Sequence, residues 1–157
     1  MGLLAWTLAA TSLAVPFVAQ QKDGCAAASL SMVLRYWEVE GSEEDIAAAL
    51  LEPGLHGVLG SKLQAFAAAR GLRAIAYSGD LQELRDFVGK GRPLIVAWGL
   101  KHGKFHNVVV VGFSDSGDVI LVNDPAEGAG RKVSAADFER RWSAAGHWTL
   151  LVLPAEP

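Results

Sequence analysis

The sequence predicts one α+β domain in which N-terminal helices pack on a C-terminal antiparallel sheet. In the first half, apolar residues with i, i+3, i+4, i+7 spacing mark a helix: Leu30, Val33, Leu34 and Trp37. The second half has short apolar runs, of which 94–98 is typical of a buried strand. The longest run contains four valines, Val108 to Val111, which indicate a strand covered on both faces.

The remaining elements follow in order from local signals. In the first half we expect a helix beginning near Cys25 with Asp23 as its N-cap, a helix over 43–51 begun by Ser42, a helix over 62–70 ended by Gly71, a strand over 72–77 and a helix over 80–88. In the second half we expect strands over 94–98, 105–113, 119–122 and 148–153, with a helix over 134–142 capped by Ser134.

The N-terminus has the pattern of a secretory signal peptide. Residues 1–19 carry no charged side chain, Leu3–Val15 has the length of an apolar signal core, and 12–14 is a small-x-small cleavage pattern. We expect cleavage after Ala14, export to the periplasm or beyond the cell, and a mature domain over 15–157 that begins with an edge strand, Val15–Gln20. The n-region lacks Lys and Arg. The alternative is an apolar first helix of a cytoplasmic protein, which would meet a membrane only through this segment.

Composition narrows the possible functions. The 157 residues include 14 basic and 17 acidic side chains, evenly mixed, and no basic stripe indicates nucleic acid as a partner. The single cysteine excludes an internal disulfide and a cysteine-based metal cluster. The four histidines, at positions 56, 102, 106 and 147, lack zinc-binding spacing. We therefore expect neither a metal nor a cofactor.

That cysteine, Cys25, lies where a loop gives way to the first helix. With Asp23 as N-cap, Cys25 falls in the first helical turn, where free N–H groups and the helix dipole favour an anion. A thiol there has a lowered pKa and acts as a nucleophile near neutral pH. The alternative is a small buried core residue.

A nucleophilic cysteine needs a general base and a third group that orients the base. The hairpin turn centres near residue 115 or 116, and the numbers of His106 and Asp124 add up to twice 115, so the two residues should lie nearly opposite each other, within a residue or two, on one face. We expect Asp124 to accept the Nδ1–H of His106 and leave Nε2 facing Cys25. His56 and His102 lie in glycine-flanked loops, and His147 begins the last strand as a surface residue.

Attack on a carbonyl produces an oxyanion, which needs hydrogen-bond donors. The backbone N–H of Cys25 at the helix start is one donor. A side-chain amide just upstream is the other, and both Gln20 and Gln21 are candidates. Gln20 closes the predicted edge strand and is preferred.

These residues resemble those of the double-glycine leader (bacteriocin-processing) peptidases, a family of papain-like cysteine peptidases. The similar segments are Gln20 with Cys25 to Ser29, Phe105 to Gly112, Asn123-Asp124-Pro125 and the tail over 137–142. The similarity spans Val15 to Pro154. It implies a papain-like fold and a cysteine peptidase with Cys25 as nucleophile, His106 as base and acid, Asp124 as orienter and Gln20 as oxyanion donor. It also implies a peptide or protein substrate, and a double-glycine leader is the family's characteristic one.

Two other functions fit the same order of residues. An acyltransferase or transglutaminase-type enzyme would resolve the acyl-enzyme with an amine instead of water. A non-catalytic papain-like domain would bind peptides in the cleft without cutting them. Trp98 and Gly99, just before the His106 strand, are candidates to line that cleft.

Overall fold

The structure is a computed structural model and describes residues 10–52, 54–55 and 57–156. The helices are α1 (Cys25–Tyr36), α2 (Glu43–Leu50), α3 (Gly60–Ala69), α4 (Leu81–Gly89) and α5 (Ala135–Ser143). The strands are β1 (Thr11–Ser12), β2 (Leu72–Ser78), β3 (Leu94–Gly99), β4 (Phe105–Phe113), β5 (Val119–Asp124), β6 (Gly128–Ser134) and β7 (Trp148–Pro154). One turn of 3₁₀ helix, Lys101–Gly103, joins β3 to β4.

All strand pairs of the described sheet are antiparallel. The order is β2-β7-β3-β4-β5-β6, and the short β1 pairs with the end of β4. Central position explains the four valines of β4, because helices cover the sheet on both sides. Val109 and Val111 pack in one core cluster with α1, α2 and α3, whereas Val108 and Val110 pack in a second cluster with α4 and α5.

The predicted fold class is confirmed, with α4 and α5 placed on the opposite face from the N-terminal helices. Ser42, Asp80 and Ser134 each accept a hydrogen bond from the backbone N–H three residues on, as expected of N-caps. Gly71 follows the end of α3 with φ +80°, in the left-handed region that a glycine adopts without steric cost.

Three local expectations are wrong. Gly24, not Asp23, is the N-cap of α1, and Asp23 has φ +57° in the preceding turn. The predicted edge strand over 15–20 has no regular secondary structure. Strand β6 was not expected, because its sequence, Gly-Ala-Gly-Arg-Lys-Val-Ser, is polar and glycine-rich. It pairs with β5 as the exposed edge of the sheet.

The segment before residue 15 contributes to the fold. Thr11 and Ser12 pair with β4, and the Leu13 N–H donates to the Val111 carbonyl at 2.7 Å. Cleavage after Ala14 would remove these contacts. The signal peptide stays a prediction, and residues 1–9 of it lie outside the described residues. In the described ranges no helix combines the length and apolar character needed to cross a bilayer.

Candidate active site

Cys25 is the first residue of α1 and lies at the end of the sheet where β4 begins. Gly24 provides no side chain to cap the helix, so no side-chain oxygen competes for its first N–H groups. The Cys25 side chain is half-buried and is a free thiol. Its Sγ lies 3.9 Å from Oδ1 of Asn107, the third residue of β4. The predicted position of Cys25 in the first turn is therefore found.

A buried carboxylate holds the turn that leads into Cys25. Glu43, the first residue of α2, is 5% exposed and accepts a hydrogen bond from the Gln21 N–H at 3.3 Å. The Gly24 N–H closes the turn by donating to the Gln21 carbonyl at 3.0 Å. A Cβ on Gly24 would lie 2.3 Å from Glu43 Oε1, so a side chain at this position would force the carboxylate or the turn to shift. The sequence showed Glu43 only as part of a capping pattern.

His106 and Asp124 are in direct contact. Nε2 of His106 lies 2.7 Å from Oδ1 of Asp124, so Nδ1 is the ring nitrogen left for Cys25. The expected use of Nδ1 toward Asp124 is therefore wrong. The pairing is offset by two residues from exact opposition: Val109 pairs with Asn123, which puts Asp124 level with Val108. The shift is two residues, and an even shift keeps His106 and Asp124 on the same face.

The three side chains influence one another's protonation. Burial alone would raise the pKa of the Cys25 thiol, but His106 and the backbone N–H groups of Asn107 and Ala26 hold it below its usual value. Burial would lower the pKa of His106, but Asp124 and Cys25 raise it to about 9. Burial would raise the pKa of Asp124, but the His106 ring and the Ala126 N–H hold it low. Together these shifts favour a thiolate beside an imidazolium, with a charged carboxylate behind it.

The two candidate amides differ in exposure and contacts. Gln21 is exposed, whereas Gln20 is half-buried. The Gln20 backbone N–H donates to the carbonyl of Pro125 at 3.0 Å, which ties it to the residue after Asp124. Its side-chain Oε1 is buried without a partner in the described part of the chain. These features favour Gln20 over Gln21 as the residue that faces the site.

The Trp98 ring lies beside the histidine and also contacts an arginine of α5. Trp98, opposite His106 on β3, is 2% exposed and its ring centroid is 6.4 Å from that of His106. The Arg141 guanidinium lies 4.9 Å from the Trp98 ring centroid, on the face that carries α5. Trp98 was expected to line a cleft, and it does line the cavity beside His106. Gly99 is closely packed instead, because a Cβ there would lie 2.5 Å from the Ala144 Cβ.

The structure does not bring the other histidines to Cys25. His102 is exposed in the 3₁₀ turn with φ +61°. His147 is partly buried, bonds Glu139 at 2.6 Å through Nε2 and packs against the Trp142 ring. His56 lies outside the described residues. No group of three or more His, Cys, Asp or Glu in the described ranges could hold a metal ion.

Comparisons with known proteins found similar peptidase sequences and structures. A sequence model of the Peptidase_C39 like family matches residues 12–149. Among solved structures, a double glycine motif protease from an AMS/PCAT transporter, in complex with its leader peptide, is 27% identical with a TM-score of 0.75. The alignment covers 92% of this chain and 95% of that one. A search of curated proteins found no match.

Two more distant structures share the fold. A putative C39-like peptidase from Bacillus anthracis is 19% identical with a TM-score of 0.74, over 94% of this chain and 99% of that one. The peptidase domain of Streptococcus ComA, a bifunctional ABC transporter of a quorum-sensing pathway, is 17% identical with a TM-score of 0.75, over 90% and 99%.

Proposed function

The chain belongs to the peptidase C39-like family, and on that premise we propose that it is a cysteine peptidase that uses Cys25, His106 and Asp124. The observation that carries the proposal is the hydrogen bond between His106 Nε2 and Asp124 Oδ1, at 2.7 Å. It leaves Nδ1 toward a thiol whose pKa is lowered at a helix start. A structural cysteine in an apolar core would have its pKa raised instead.

The first half of the reaction forms an acyl-enzyme. The Cys25 thiolate attacks the carbonyl carbon of the scissile peptide bond, and the oxygen takes the negative charge. The backbone N–H of Cys25 and the side-chain amide of Gln20 donate to that oxyanion. His106 then gives its Nδ1 proton to the leaving nitrogen, the C–N bond breaks, and a thioester remains on Cys25.

The second half regenerates the thiol. His106, now neutral, takes a proton from a water molecule as the water attacks the thioester carbonyl. The second tetrahedral intermediate collapses with release of the carboxylic acid product and the Cys25 thiolate. Asp124 stays ionised throughout and stabilises the imidazolium, which is present before the first half and forms again in the second.

We further propose a peptide with a double-glycine leader as the substrate. Support comes from the 27% identical relative, which was solved in complex with its leader peptide. Two apolar features border the site and fit a peptide chain. The first is the side chain of Phe105, just before His106, which is 61% exposed. The second is a mostly apolar cavity of about 310 Å³, which Phe105 lines together with Ala97, Asn107 and Trp148.

The test is incubation of the full chain with a synthetic leader–cargo peptide that contains the double glycine, followed by mass spectrometry. We expect cleavage after the second glycine, and none by the Cys25→Ala variant. An added amine acceptor distinguishes an acyltransferase, because its product would carry the amine instead of a new carboxylate. If neither this peptide nor a mixed peptide library is cut, the peptidase proposal is wrong.

A further inference from the structure

A second cavity, of about 540 Å³, lies on the face of the sheet that carries α5. Its lining includes Trp98, His106, Asp124, Arg131, Lys132 and Arg141. The apolar cavity that contains Asn107 lies on the other face, because successive residues of β4 point to opposite sides. Two cavities therefore border the site near Cys25: a charged one lined by His106 and a mostly apolar one lined by Asn107.

The chemistry of the proposed reaction assigns these cavities to the two halves of a substrate. His106 must reach the leaving nitrogen in order to protonate it. The part of the substrate that departs therefore lies beside the His106 ring, which lines the larger cavity. The acyl part, which stays on Cys25, lies toward Asn107, whose Oδ1 is 3.9 Å from Sγ.

One cation of the larger cavity is available to bind an anion. Two of its carboxylates are already paired, Asp124 with His106 at 2.7 Å and Asp137 with Arg141 at 2.8 Å. Arg131 is exposed and makes no ion pair with any described residue, and Glu127 is the remaining carboxylate of the lining. Arg140, just outside the lining, also bonds Asp137, so that carboxylate is shared by two arginines while Arg131 is left available to an anion.

The strand register separates Arg131 from its neighbour. Arg131 lies opposite Val122, whose side chain belongs to the core cluster on the α5 face, so Arg131 projects toward the larger cavity. Lys132 also borders the cavity, but it lies opposite Leu121, which packs on the α1 face, so its side chain projects away from the cavity. The two residues carry the same charge on the same exposed strand and differ in the face they occupy.

We propose that the larger cavity is a subsite for the leaving part of the substrate and that Arg131 selects a carboxylate within the first few residues after the scissile bond. The proposal rests on the proposed peptidase function. It deepens that function by naming a chemical preference that the double glycine, on the acyl side of the cut, does not determine. Asp and Glu side chains carry such a carboxylate, as does the C terminus of a short leaving peptide.

The experiment is digestion of a proteome-derived peptide library by the full chain at low ionic strength. One library has free C termini and a second has amidated C termini, and mass spectrometry identifies the residues after each cut. Two variants are compared with the wild type, Arg131→Glu and Lys132→Glu. Both substitutions make the same change of charge on the edge strand β6, so both variants should fold.

We expect Asp and Glu to be enriched after the cut in both libraries with the wild type and with Lys132→Glu. Arg131→Glu should lower cleavage of those peptides about fivefold and leave neutral peptides unaffected, and added salt should reduce the difference. Enrichment that disappears on amidation assigns the subsite to a terminal carboxylate. Cleavage without enrichment, or an equal effect of both variants, overturns the subsite and leaves the peptidase proposal intact. Absence of any cleavage overturns both.

Discussion

The protonation of Cys25 depends on a chain of contacts that begins at Asp124. The carboxylate is 6% exposed and accepts from both the His106 ring and the Ala126 N–H at 2.9 Å. Its charge is thereby kept at neutral pH and raises the pKa of His106. The thiolate is stabilised in turn by the protonated ring, so a change at Asp124 should reach Cys25 without touching it.

The first expected outcome concerns Asp124→Asn. The amide is nearly isosteric, so the fold should persist, but it lacks the charge that stabilises the imidazolium. We expect peptidase turnover to fall by about 10 to 10³, less than the 10⁴ of a serine-protease triad, because the thiolate–imidazolium pair is partly preformed. Steady-state kinetics measures this. Asp118→Asn, beside the hairpin turn, is the control, and full activity of Asp124→Asn would show that Asp124 does not support the histidine.

A second outcome concerns pH. As pH falls through the lowered pKa of Cys25, the thiolate is protonated and both alkylation and turnover should fall. As pH rises through about 9, His106 loses the proton that the leaving amine needs, so turnover alone should fall. At pH 6, iodoacetamide should react faster with native protein than with urea-unfolded protein, because the stabilising contacts exist only in the fold. A slower native reaction would indicate an ordinary buried thiol.

Residue types and spacing were enough to select Cys25, His106 and Asp124 from the sequence, but not their exact geometry. In a regular hairpin the numbers of paired residues add up to one constant value. Here Phe113 pairs with Ile120, a sum of 233, whereas Val109 pairs with Asn123, a sum of 232, because the pairing is irregular between Val110 and Gly112. Such a bulge has no clear signal in a valine-rich run. The predicted face was right because the resulting error is even.

At the scale of elements, the site depends on how α1 is joined to α2. Glu43 links the first turn of α2 to the loop before α1, and this contact is between residues 22 positions apart in the chain. Sequence patterns report local structure, so Ser42 could be identified as a cap while the partner of Glu43 could not. The same limitation applies to β6, because its polar sequence forms a strand only through backbone pairing with β5.

The third expected outcome tests this junction with Gly24→Ala. A Cβ at Gly24 would meet Glu43 Oε1 at 2.3 Å and the Gln21 carbonyl at 3.0 Å, so the carboxylate must leave its hydrogen bond or the turn must shift. We expect a loss of about 1–3 kcal/mol in the free energy of unfolding, and slower alkylation of Cys25 in the folded protein. Urea unfolding and iodoacetamide kinetics measure the two effects.

The matched control for that substitution is Gly54→Ala. No atom of the described residues lies within 4 Å of a Cβ added at Gly54, so the same chemical change should leave stability within about 0.5 kcal/mol. Equal effects at Gly24 and Gly54 would show that the Glu43 contact does not constrain the turn.

At the scale of the whole molecule, one sheet serves two cores. Alternate residues of β4 enter different clusters, and Cys25 approaches from the α1 face while Asp124 faces α5. The site therefore lies at the end of the sheet, where both faces can reach a bound peptide. Helical and strand periodicity predicted the five helices and most of the strands, but the placement of α4 and α5 on the second face depends on crossing connections that periodicity does not encode.

The shared sheet also determines how the molecule should unfold. Because β4 contributes Val109 to one cluster and Val108 to the other, neither cluster can lose its packing while the other keeps a complete wall.

Leu30→Ala on the α1 face and Leu84→Ala on the α4 face should each lower the free energy of unfolding by about 2–5 kcal/mol, since both side chains are fully buried. Exposed Leu55→Ala should cost less than about 0.5 kcal/mol. In urea, far-ultraviolet circular dichroism and tryptophan fluorescence, to which Trp98 and Trp142 of the second cluster contribute together with the other three tryptophans, should give one midpoint in every variant. If Leu84→Ala shifted the fluorescence midpoint while the dichroism midpoint stayed in place, the two faces would be separate folding units. A substitution on the α5 face could then change the surroundings of His106 while α1 kept its packing.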